Sequence, residues 1–127
     1  MLWIAVSGCA VFMPPPEDVP TKIIEEKLSP GKQAEPREIA SLQLTKQGRM
    51  LLENGKVDEA ITVLEQALNI HSTNGRNYYY LSEAWLMKND ALQAKEWNRQ
   101  AEIYLSDDKF WRKKVLDQKA RIGKLFE

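Results

Sequence analysis

The chain has 127 residues, 18 basic and 18 acidic side chains, one cysteine and one histidine. That length holds one small domain with a real core and is too short for two. Balanced charge gives no global field to gather nucleic acid or an anionic membrane, while the lone Cys9 excludes a disulfide framework and the lone His71 leaves little for metal ligation.

Residues 1–13 are almost continuously apolar, and Val6-Ser7-Gly8-Cys9 runs aliphatic, small, small, cysteine. Small residues let a chain lie extended in a peptidase groove, and a new N-terminal cysteine can carry acyl chains into a membrane. The stretch resembles the lipobox of bacterial lipoproteins. The resemblance implies a signal-peptide-like segment over 1–9, lipidation of Cys9 and a place in the cell envelope. Ala10 is not the aspartate that often holds such proteins in the inner membrane, which favours the outer membrane facing the periplasm. The other reading of the same residues is a free thiol in the apolar terminus of a soluble cytoplasmic protein.

Residues 10–35 read as a linker. From Met13 to Glu35 the chain holds five of its six prolines, mixed charge and few large aliphatics. Proline removes amide donors and favours extended polyproline II, which suits a semi-rigid spacer. Beyond residue 13 no apolar run approaches the roughly 20 residues that span a bilayer.

Residues 36–127 read as helical throughout, with Pro36 placed to sit in a first turn. Leu44, Gly48 and Leu51 share one stripe, Asn54-Gly55 breaks the pattern, and Val57, Ala60, Ile61, Leu64, Ala67 and Leu68 resume it at helical spacing. A helical hairpin follows. A shift of 34 residues then pairs Leu44 with Tyr78, Gly48 with Ser82, Leu51 with Trp85, Ala60 with Ala94 and Ala67 with Ala101. Gly55 pairs with Asn89, and Asn tolerates the left-handed turn that Gly adopts freely.

Small residues recurring where helices must approach closely, at a period of 34, resemble the tetratricopeptide repeat. The first copy covers 41–74 and the second, more degenerate, 75–108. A last helix over 107–126 would cap the stack, with Ser106 as its N-cap and Trp111, Val115, Ile122 and Leu125 as its buried stripe. Its other faces carry Lys113, Lys114, Lys119, Arg121 and Lys124. The expected fold is all-α, a right-handed α-solenoid of two tetratricopeptide hairpins with a capping helix.

The resemblance also implies a concave peptide-binding groove lined by Leu42, Thr45, Arg49 and Leu52 in the first repeat. In the second repeat the matching positions are Arg76, Tyr79, Glu83 and Leu86, with Tyr78, Leu81 and Trp85 turned to the core. No nucleophile elbow, phosphate-binding glycine loop or HExxH occurs, so neither catalysis nor a metal or cofactor is expected. Acid pairs such as Asp58-Glu59 point apart on a helix, and His71 falls at a helix end beside terminal carbonyls.

The function expected from this is a non-catalytic envelope lipoprotein that binds a protein or peptide, held to the membrane through Cys9. Nucleic acid is not an expected partner, although the basic last helix with Phe110 and Trp111 could face an anionic one. A cytoplasmic adaptor and a self-assembling structural module are the alternatives.

Overall fold

A computed structural model of the chain describes residues 35–127. Cys9, the segment 1–9 and the proline-rich stretch up to residue 34 lie outside the described residues. Five α-helices and no strand make up the described part: α1 Pro36–Glu53, α2 Val57–Ile70, α3 Gly75–Met87, α4 Ala91–Tyr104 and α5 Lys109–Lys124. None of them is long and apolar enough to cross a membrane.

Local chemistry sets the helix ends. Pro36 occupies the start of α1, where a missing amide proton is no loss. Asp90 caps α4 through the Gln93 amide at 3.0 Å, and Asp108 caps α5 through the amides of Phe110 and Trp111 at 3.0 and 3.2 Å. Asp108, not Ser106, is therefore the cap of the last helix. Ser106 instead donates its hydroxyl to the Ile103 carbonyl.

The two intra-hairpin turns are built alike. Gly55 takes a φ of 75° and Asn89 a φ of 58°. The amides of Gly55 and Lys56 donate to the carbonyls of Leu52 and Leu51, and those of Asn89 and Asp90 donate to Leu86 and Trp85. These bonds satisfy carbonyls that a helix end would leave open. The Asn54 side chain adds a bond to the Met50 carbonyl at 2.9 Å.

Helices α1 and α2 lie against each other along their lengths, as do α3 and α4. Helix α3 also packs on α2 and α1, and α5 packs on α4 and α3. The small residues sit where helices meet. Ala60, Ala67, Ala94 and Ala101 have no exposed surface. A methyl group at Gly48 would stand 2.6 Å from Leu64, and the equivalent Ser82 fits by donating to the Ala94 carbonyl at 2.7 Å.

One apolar cluster gathers Leu52, Ile61, Leu64 and Leu81, and a second gathers Tyr78, Tyr79, Leu105, Trp111 and Val115. Leu68, Tyr80 and Trp97 pack against both. On α5, Trp111, Val115 and Ile122 are buried as expected, but Leu125 is exposed. The fully buried Gln118 fills out that stripe.

Polar groups lock both helix junctions. Where α1, α2 and α3 meet, Ser41 donates to the Ala67 carbonyl, Thr45 to Asn77 Oδ1, and Asn77 Nδ2 to the Leu64 carbonyl. Asn74 Nδ2 donates to both hydroxyl oxygens, Ser41 Oγ and Thr45 Oγ1, at 3.0 Å. Where α3, α4 and α5 meet, Gln118 donates to the Tyr79 carbonyl and to Glu83 while accepting from Asn98. Buried groups satisfied this completely fix one arrangement of helices rather than many.

Candidate functional site

The side-by-side run of α1, α3 and α5 presents one mixed aromatic and cationic surface. Burial of Trp111 supplies its floor. The Trp111 indole meets Tyr79 edge to face with centroids 5.5 Å apart, and it meets Tyr80 at 6.0 Å. Phe110 stands edge-on to the same indole at 5.8 Å and is itself exposed.

Cations cover these rings. The Arg76 guanidinium lies 5.2 Å from the Trp111 centroid. The Lys114 ammonium lies 5.0 Å from Trp111, 5.3 Å from Phe110 and 5.7 Å from Tyr79. The negative ring faces hold such cations without neutralising them. Among the described residues neither Arg76 nor Lys114 pairs with a carboxylate.

Tyr80 links the first helix to this surface. Burial raises the pKa of its hydroxyl, and the charges of Arg49 and then Arg76 pull it part of the way back. Arg49 also reaches Glu53, one turn along α1, at 3.6 Å. Glu83 is engaged from the other side, paired with Arg121 and bonded by Gln118 at 2.8 Å.

The residues expected to line a groove divide into three groups. Arg49 and Arg76 are exposed, and both act electrostatically on the Tyr80 hydroxyl. Leu42 and Leu86 are half-buried, and Glu83 is half-buried and already occupied by Arg121 and Gln118. Thr45, Leu52 and Tyr79 are buried, contrary to expectation. Thr45 belongs to the polar junction, Leu52 to the first apolar cluster, and Tyr79 is roofed by α5. The tyrosine run thus splits one residue later than expected, with Tyr80 rather than Tyr79 at the surface.

The sequence puts Trp111 in the buried stripe and Lys114 on another face of a basic helix that could meet an anionic partner, and their gathering with Arg76 is what it does not show. Their signal in the sequence was present: Phe110, Trp111 and Lys114 fall within one helical turn and a step. What placed them beside Arg76 is the packing of α5 on α3.

His71 follows α2 and bonds Thr73 through Nε2 at 3.0 Å. No group of three acids, histidines or cysteines suited to a metal occurs among the described residues. Compared with protein-family models, curated proteins and solved structures, the chain matches none.

Proposed function

We propose that the described domain is a non-catalytic binding module whose α1–α3–α5 surface takes a peptide segment of a partner protein. The segment would present a carboxylate beside an apolar or aromatic side chain. One observation carries this reading: Arg76 and Lys114 are held over Trp111 with no carboxylate partner among the described residues. Cations already fixed on rings lose little freedom when they pair, and tryptophan with arginine is the composition that concentrates binding energy.

In the same reading the hairpins are tetratricopeptide-type repeats with α5 as their cap. The equivalent turns at Gly55 and Asn89 and the equivalent contacts at Gly48 and Ser82 support it. The Val6-Ser7-Gly8-Cys9 stretch and the prolines after it support a lipid anchor with a spacer. The protein would then act at the envelope membrane, in assembly or secretion.

Two experiments test the halves separately. Palmitate labelling of the wild-type chain and of Cys9→Ser in a bacterial host reads the anchor. Label in both, or in neither, removes it. A photo-crosslinking amino acid at position 80 and another at position 113 read the surface. Crosslinks to a partner from position 80, suppressed by Arg76→Glu, are expected. Crosslinks from position 113 alone would overturn the assignment.

A further inference from the structure

The junction of α4 with α5 repeats, 34 residues on, the junction of α2 with α3, so the molecule supplies its own reference. At the first junction Ile61 and Leu64 are buried, and Leu68, Trp85 and Trp97 pack against them. At the second junction Lys95 stands for Ile61, Asn98 for Leu64, Glu102 for Leu68 and Lys119 for Trp85. The bulky fillers are gone. What remains is a cleft of about 420 Å³ with a mainly apolar wall, inside the range of about 300–1,000 Å³ usual for binding pockets.

Its inner surface includes Ile122, Gly123 and Phe126 of the α5 end and the buried Asn98 of α4. A methyl group at Gly123 would meet nothing within 4 Å. Three cations surround the opening: Lys95, Arg99 and Lys119. Against them stands Glu102, already engaged by Lys119 at 3.0 Å. Arg99 reaches Glu96 only at 3.9 Å, and Lys95 has no carboxylate partner among the described residues, lying instead 5.4 Å from the Phe126 ring.

The register also says what shape belongs there. Gly48 of α1 lies against Leu64 of α2, and Ser82 of α3 bonds the Ala94 carbonyl of α4. The third position in this series is Leu116 of α5, and it is 46% exposed, with no helix upon it among the described residues. The first two members of the series each hold a helix.

We infer that the α4–α5 cleft docks an amphipathic helix of a partner protein that inserts a tryptophan-sized side chain and flanks it with acidic residues. The inserted group takes the place that Trp85 fills at the first junction. The acidic flanks meet Lys95 and Arg99, and the helix covers Leu116. The cleft shares α5 with the aromatic site but none of its lining residues, and the inference stands apart from the function proposed there.

A fluorescein-labelled synthetic helix with one tryptophan between glutamates, titrated into the full chain and followed by anisotropy, tests it. Saturable binding is expected. Gly123→Trp fills the cleft from within and should weaken binding at least about tenfold, as should Lys95→Glu with Arg99→Glu. A peptide with alanine for its tryptophan, and one with lysines for its glutamates, should each lose a similar factor. All titrations are made in an Arg76→Ala background, so that the aromatic site does not take the same acidic peptide, and saturable binding is expected to persist there. Circular dichroism melts establish that each variant is folded, and the double charge reversal touches only exposed side chains if Gly123→Trp fails. Absence of saturable binding, full affinity in the folded Gly123→Trp or charge-reversed protein, or full affinity of the alanine peptide would each overturn the inference.

Discussion

Asn77 of α3 accepts a hydrogen bond from Thr45 of α1 at 2.9 Å, with both side chains buried. The same amide donates to the Leu64 carbonyl of α2 at 2.6 Å, so a single side chain ties three helices. Asn77→Ala removes both links and leaves the Leu64 carbonyl, which already belongs to a helix ladder, without its second donor. A loss of about 2–4 kcal/mol is expected, because stranding buried polar groups costs more than a hydrogen bond contributes. Urea unfolding followed by circular dichroism measures it. A loss below about 1 kcal/mol would mean that water replaces the amide.

The two glycines at positions 48 and 123 should respond to alanine with opposite sign. At Gly48 the new methyl meets the fully buried Leu64 side chain, which has no room to turn aside. Overpacking of that kind costs about 1–3 kcal/mol. At Gly123 the methyl meets nothing and the helix gains about 0.5–1 kcal/mol from the better former. Thermal melts of the two variants side by side decide it.

Arg76→Ala should weaken capture of the partner segment by about 1–3 kcal/mol if the ring-held guanidinium is a hot spot. Stability should change by no more than about 0.5 kcal/mol, since Arg76 is exposed. Isothermal titration with a partner peptide found by crosslinking reads the first, and a melt reads the second. Equal affinity with lowered stability would make Arg76 a brace for Trp111 rather than a contact.

Alkaline stability follows from the tyrosines. Burial, then the nearby Glu83 carboxylate, pushes the Tyr79 hydroxyl from 10.0 up to about 12, and burial raises Tyr78 and Tyr80 as well. A raised folded pKa means that the unfolded chain loses the proton first. Stability from this source is therefore complete below about pH 10 and falls as pH rises from there to about 12. Melts across that interval, with tyrosinate absorbance followed in parallel, check it. A melting temperature flat to pH 12 would show that Tyr79 ionises freely in the folded protein.

Helical periodicity and the 34-residue register made the hairpins, their turns and the alanine contacts legible in the sequence, because each depends on residue size at fixed spacing. The left-handed Asn89 is a good instance: its equivalence to Gly55 was enough. The buried amides were not legible. Asn77, Asn98 and Gln118 look like surface residues by composition, and only the meeting of three helices gives them partners. Tyr79 failed for a related reason. A groove position defined within one hairpin does not reveal that the next helix, α5, will lie across it. Of the residues expected in the groove, Arg49 and Arg76 are the exposed ones, because their long side chains reach past such cover.

The turn at Asn54-Gly55 also sets how this protein ages. An asparagine before glycine is prone to deamidation, because the unhindered glycine nitrogen can attack the side-chain amide carbon, expel ammonia and leave aspartate or isoaspartate after water opens the ring. Here the fold restrains both reactants: the Gly55 amide is held by the Leu52 carbonyl and the Asn54 side chain by Met50. The chain has a second such pair, Asn74-Gly75, whose amide is buried and bonded to Ser41 and Thr45. Wear should therefore begin at the exposed first turn, and at the rate at which that turn frays open. The isoaspartate accumulated at residue 54 is a molecular record of how often α1 and α2 have come apart at their linking turn.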